Sequence, residues 1–315
     1  MRGLALEEST KRSYSTYEKS YRSFCTQYGL QPIPADQFQA SRYAAFLALR
    51  LHPNSIPKYL GVIRSLHLEQ GLPDPHILQS HRVKQVLTGI NKSRGTATKR
   101  MEPITPAILL NLQKTRDLST LGDSSFWCAC LLGFFGLLRR SNLFPPSKGG
   151  FNAATHLSRA SICVEDHQVT VTLTWSKTNQ TRDRCVNVVL LERPGHPLCP
   201  VRVFRHLWAL TTDIPMGSPV FWRSSAAGIN PVLYGWFTAK FRASLELCGL
   251  DPSVFGTHSL RRGGATWIFE CGLSSEAIQM LGDWRSDAYK TYLDLRPQQQ
   301  VKLMRQILDA LPHDV

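Results

Sequence analysis

The sequence has no apolar run approaching the roughly 18 residues that a membrane-spanning helix needs. Its opening, MRGLALEEST, holds two acidic side chains and no stretch apolar enough for a signal peptide. The densest apolar segment, FWCACLLGFFGLL from Phe126 to Leu138, is too short to span and runs straight into Arg139 and Arg140, so it reads as a buried core helix. The eight cysteines are scattered without a CxxC pair, which argues against a zinc site and against a disulfide framework. Free thiols of this kind fit a reducing compartment, nucleus or cytoplasm. Internal repeats and low-complexity tracts are absent. Acidic residues are scarce: 23 Asp and Glu stand against 37 Lys and Arg, a formal net charge of +14. That surplus favours a polyanionic partner, because each neutralised phosphate releases condensed counterions. Charge alone leaves open a merely basic soluble protein or one that touches anionic membranes.

Hydrophobic residues make up 43% of the 315, enough for a sizeable core, and the length suggests two domains or one large one. From Ser9 to about Asn91 the period is helical. Tyr14, Tyr17, Tyr21, Phe24 and Tyr28 fall at three- and four-residue steps, as do Phe38, Tyr43, Phe46 and Leu47. A third helix starts near Ser55 and stops at Gly71, and HILQSHRVKQVLTGINKS forms a fourth. Lys58, Arg64, Arg82, Lys84 and Lys92 are spread along these helices. The polar, basic NKSRGTATKRMEP reads as a linker. ITPAILLNLQKT and SSFWCACLLGFFGLLRRSNLF follow as two helices. QVTVTLTWSKTNQTRDRCVNVVLL then alternates with period two across a polar turn, a β-hairpin, and helices resume beyond Pro197. The expected fold is mainly α with a small β-hairpin or sheet, an α+β class. The expected division is a helical domain over 1–95, a linker over 96–104, and a second domain over 105–315.

Four segments in order carry the chemistry. GLLRRSNL places Arg139 after an apolar helix, and TWSKTNQ places Lys177 at the end of a strand. THSLRRGGAT puts His258 and Arg261 three apart on one helix face, and LGDWRSDAYKTYLDL leads to Tyr292. In order, spacing and surrounding elements the series resembles the catalytic domain of the phage-integrase family, the tyrosine recombinases. In that family an Arg lies in a GxR-x-S-E helix, a Lys on a β-hairpin, and HxxR opens a helix. An LGH-type or GW-type segment then precedes the Tyr. FGLLRRSNLFP, HSLRRGGAT and LGDWRSDAYKTYL look most like the enzymes of DIRS-type retrotransposons and Crypton elements. The resemblance covers essentially the whole chain, since residues 1–95 look like the family's SAM-like core-binding domain.

What the resemblance implies is strand cleavage and rejoining through a 3′-phosphotyrosine on double-stranded DNA, in the nucleus or, in a prokaryote, the cytoplasm. No cofactor, metal or membrane is expected. A phosphodiester is anionic and gains charge on its non-bridging oxygens in the transition state, and the sequence offers no metal-ligand cluster, so fixed cations must stabilise it. Arg139 and Arg261 fit that role, since guanidinium stays charged and grips two oxygens at once. His258 can hydrogen-bond the phosphate and accept the proton of Tyr292, and Lys177 can protonate the departing 5′ oxygen. Each choice has a neighbour: Tyr289 for Tyr292, Arg140 and Arg262 for the two arginines, Lys148 for Lys177. Two positions depart from the pattern. Asp283 follows Gly282 where His or Trp is expected, with Trp284 one step later as the candidate for that role, and Asn142 replaces an acid. The tail VKLMRQILDAL puts Leu303, Met304, Ile307, Leu308 and Leu311 on one face, which either packs on its own domain or is exchanged between protomers of a homotetramer on DNA. A catalytically inactive DNA-binding relic and a type IB topoisomerase-like relaxing enzyme are the rival readings.

Overall fold

The computed structural model describes residues 8–96, 100–176, 179, 184–292, 301, 304, 305 and 308. The chain folds as two compact units, 1–99 and 100–315. Residues 97–99, 177, 178 and 180–183 lie outside the description, so Lys177 does too. Among the described residues no helix is long and apolar enough to cross a membrane.

In the first unit, α1 (Glu8–Gln27), α2 (Gln37–Ala48), α3 (Ile56–Glu69) and α4 (His81–Arg94) bury their apolar stripes against each other. Asp36 caps α2 by accepting from the Gln39 amide at 2.8 Å. Tyr21, Phe24, Tyr43 and Leu47 meet in the core, as the spacing predicts. Phe38 does not: it is exposed and lies under the Arg82 guanidinium, 4.3 Å from ring centroid to Cζ. Lys58, Arg64, Arg82, Lys84 and Lys92 are all exposed, and Arg64 is paired with Asp74.

The second unit begins with α5 (Pro106–Lys114) and α6 (Leu121–Phe134). A helix apolar all round belongs in a core, and from Ser124 to Phe134 every residue of α6 is buried. The next elements are α7 (Arg140–Leu143), β1 (Ile162–Val164), β2 (Gln168–Leu173), β3 (Val186–Leu191) and α8 (Pro200–Ala209). After them come β4 (Trp222–Ser225), β5 (Gly228–Pro231), α9 (Tyr234–Leu247), α10 (His258–Glu270) and α11 (Ser275–Leu281). The expected hairpin is β2–β3, in register from Gln168 opposite Leu191 to Leu173 opposite Val186, and β1 adds a third antiparallel strand. Alternation buries Val169, Val171 and Leu173 on one face.

Three sequence expectations are corrected. The segment 124–144 is not one helix: Leu137 takes a left-handed conformation (φ 51°), which breaks it and starts α7 separately. A second hairpin, β4–β5, stands where only helices were expected; its strands are too short to show a period. Residues 287–292 form a 3₁₀ turn rather than a helix.

α10 crosses α6 on glycine. A Cβ on Gly264 would lie 1.9 Å from the Phe134 carbonyl oxygen, and one on Gly263 would lie 1.8 Å from the Ile104 carbonyl oxygen. Backbone oxygens cannot yield as a flexible side chain does. Gly264→Ala is therefore expected to cost about 3 kcal/mol, the upper range for overpacking. Thermal unfolding measures it; an unchanged midpoint would mean that α10 can lift off α6 freely.

Candidate active site

The site assembles around the buried Arg261 side chain. Arg261 lies one turn into α10, donates through Nη1 to the Leu137 carbonyl and through Nη2 to the Gly282 carbonyl at 2.6 Å. The turn after α6 and the turn after α11 are thereby fastened to α10. The Trp284 ring covers the guanidinium, 3.9 Å from Cζ. Gly282 is required for this stacking, because a Cβ there would fall 1.6 Å from the indole. Trp284 rather than Asp283 thus stands on the arginine. Burial and the nearby Arg139 charge lower the Arg261 pKa to about 9, so it remains a cation at neutral pH.

His258 opens α10 with an exposed edge, and its Nε2 lies 2.5 Å from the Tyr292 hydroxyl. Tyr292 is half-buried at the end of the 3₁₀ turn, where Thr266, two helical turns beyond His258, donates to its carbonyl at 2.7 Å. Tyr289 is buried and packs with Trp284 in a small cluster with Leu137, Ala265 and Ile278. The two tyrosines are therefore distinct: one fills a core, the other presents its hydroxyl to an imidazole.

Arg139 is half-buried in extended conformation just before α7; burial lowers its pKa, while Asp283 and Tyr292 act in the opposite sense. Partial burial, reinforced by Arg261, Arg139, Arg262 and Arg140, lowers the His258 pKa below the ordinary imidazole value. Four guanidinium groups thus bear on one imidazole. Arg262 is buried and donates to the Met101 carbonyl at 2.6 Å, a tie to the segment ahead of α5. Arg140 is exposed and stacks on Tyr234, 4.3 Å from the ring centroid. Tyr234 reaches Thr257, next to His258, and its pKa is lowered because hydrogen bonds and the Arg140 charge outweigh the opposing effect of its burial.

Asn142, the residue in place of an acid, is buried and donates through Nδ2 to the Trp175 carbonyl at 3.3 Å. An ionised carboxylate could not make that bond, so here the amide suits the partner. Lys148 is exposed in the loop after α7. Sequence reasoning did not find Thr266, Tyr234 or the partners of Asp283. Thr266 had a signal, its eight-residue step from His258, whereas Tyr234 reaches the site only through tertiary folding.

No family model matches the chain. In sequence it is 24% identical over 266 residues to the integrase/recombinase XerD homolog of Selenomonas ruminantium, covering 82% of this chain and 73% of that protein. In structure it resembles the Tn1549 transposon integrase in complex with transposon right-end DNA, with TM-score 0.62, 14% identity, and 98% and 96% of the two chains covered. It also resembles the XerH site-specific recombinase bound to palindromic difH, with TM-score 0.65, 12% identity and 95% and 79% covered. A lambda integrase dimer bound to a COC′ core site superposes with TM-score 0.57, 15% identity and 94% and 92% covered. The fold is that of the tyrosine recombinases. Within the recombinase fold, Arg139, His258, Arg261, Trp284 and Tyr292 converge on one site.

Proposed function

We propose that the protein is a site-specific DNA recombinase or integrase of the tyrosine recombinase family, carried by a mobile element. In this reading it joins Tyr292 to a 3′ phosphate. The observation that carries the reading is the His258–Tyr292 contact at 2.5 Å amid the charges of Arg139 and Arg261. The Tyr292 oxygen attacks phosphorus as its proton passes to His258 Nε2. The P–O5′ bond breaks, and the 5′ oxygen takes a proton from Lys177. Arg139 and Arg261 stabilise the charge gathering on the non-bridging oxygens. The exposed basic residues on the helices of the first unit supply phosphate contacts along the duplex. The test is trapping on nicked duplexes carrying candidate element ends. A covalent protein–DNA band is expected in chelator, and duplex binding without any such band across those ends would overturn the reading.

His258 must be neutral to accept the proton. Its folded pKa lies below the unfolded value of about 6.5, so the neutral form persists into mildly acid solution. Single-turnover cleavage is expected to hold at pH 7 and to fall only below about pH 6.5. Stability follows the same sign: this group's contribution is fully present above the unfolded value and lost as pH falls through the folded one. A pH–rate profile of the wild type against His258→Gln checks the assignment. Persistence of the acid limb in the variant would assign it elsewhere.

Two apolar surfaces support a reading of assembly. In the tail, Val301, Met304 and Leu308 are all more than half exposed, while Leu303, Ile307 and Leu311 lie outside the described residues. A groove lined by Pro106, Leu110, Leu191, Trp267 and Leu281 is apolar and open. We assign the groove of one protomer to the tail of another within a homotetramer on DNA. Truncation after Arg296 is expected to abolish synapsis and leave single-site binding intact. Tetramer formation by the truncated chain in a mobility-shift assay would sink the exchange.

A further inference from the structure

Asp283 stands where the resemblance places histidine or tryptophan, and the chemistry above gives it no part. Its backbone is left-handed, φ 50°, a conformation that aspartate and asparagine adopt more readily than most residues. Its carboxylate accepts from Ser176 Oγ at 3.2 Å through Oδ2 and from Arg184 Nη2 through Oδ1. Ser176 follows β2 and Arg184 precedes β3, so one side chain grips both flanks of the segment joining the two strands, at its base.

That base is already closed on itself. Asn179, 1% exposed, donates through Nδ2 to the carbonyls of Thr174 at 3.2 Å and Arg184 at 2.6 Å. Asn142 ties the neighbouring Trp175 carbonyl to α7. Asp283 adds a link from that base to the turn whose Gly282 carbonyl and Trp284 ring hold Arg261. Its negative charge also favours the cationic forms of Arg139 and Arg261.

We propose that Asp283 is a positioning residue that fixes the two flanks of the segment joining β2 to β3, at Ser176 and Arg184, against the arginine cluster. Its consequence for catalysis rests on the reading that Lys177, next to Ser176 in sequence, protonates the leaving 5′ oxygen.

The test uses Asp283→Asn, which keeps a residue tolerant of φ 50° and the bond to Ser176 but removes the charge facing Arg184. Single-turnover cleavage is compared on two suicide duplexes, one ordinary and one with sulfur at the bridging 5′ position. A thiolate leaves without a proton, so the second duplex needs no general acid. Losing a charged hydrogen bond is expected to slow cleavage of the ordinary duplex about 10- to 100-fold, with near-wild-type cleavage of the sulfur duplex. An equal loss on both would mean that Asp283 acts through the arginines, and no loss would remove it from the reaction; either overturns the proposal. Amide hydrogen exchange over residues 168–176 and 184–191 is measured in parallel and should speed up in the variant. If the wild type cleaves neither duplex, the recombinase reading fails, and the positioning role stands or falls on that exchange: unchanged rates overturn it.

Discussion

Tyr292→Phe is expected to eliminate the covalent DNA adduct while leaving duplex binding unchanged. Phenylalanine keeps the ring that faces Trp284, at 5.8 Å between centroids, and the Thr266 bond runs to the backbone carbonyl, so the 3₁₀ turn retains its anchors. Only the hydroxyl is lost, and with it the contact to His258. Removing a nucleophile that acts as part of a unit costs on the order of 10⁴-fold or more, far beyond what a packing change yields. Tyr289→Phe provides the contrast. Tyr289 is 2% exposed and packs against Trp284, so its loss should shift stability slightly and leave an adduct. A denaturing gel of the two variants beside wild type decides between the tyrosines. An adduct that survives in Tyr292→Phe and vanishes in Tyr289→Phe would reverse the assignment and require the 3₁₀ turn to unwind before cleavage.

The legible parts of the molecule were those with a period. The aromatic stripe of α1, the apolar run of α6 and the alternation of β2 each announce an element, and each is found. The HxxR step places His258 and Arg261 on one face because three residues nearly complete a helical turn. What sequence did not show is how separate turns close on Arg261. The break at Leu137 is a backbone event inside an apolar run, and nothing in FFGLLRR distinguishes it from a continuing helix. The two arginine doublets could not be resolved by spacing either. Tertiary partners separate them: Arg261 lies beneath Trp284 between two turns, whereas Arg262 reaches the Met101 carbonyl. The substitutions at 142 and 283 look like losses when read against a motif. In three dimensions both are partners of the segment joining β2 to β3, an amide donating where a carbonyl waits and a carboxylate accepting from Ser176 and Arg184.

Arg261→Ala should damage fold and chemistry together, which sets it apart from Tyr292→Phe. The side chain is 3% exposed, and its truncation leaves the Leu137 and Gly282 carbonyls without their donor and the Trp284 ring without its support. An unsatisfied buried acceptor costs about 1–3 kcal/mol, and the space beneath the indole adds a cavity term. Opposing these is relief: a buried cation beside Arg139 is already disfavoured, as its lowered pKa records. The balance is a net destabilisation of about 3 kcal/mol, or roughly 6–12 °C in unfolding temperature for a unit of this size. Arg261→Lys separates the two roles. Lysine retains charge and one donor direction but not the planar fork, so it should recover part of the unfolding temperature. Cleavage should still fall by about 100-fold, because the ammonium cannot hold both turns and keep its charge where the guanidinium places it. If Arg261→Ala melts like wild type, the turns at Leu137 and Gly282 are held by something other than this side chain. If it cleaves like wild type, the phosphate is gripped elsewhere, and Arg262, released from Met101, becomes the arginine to test.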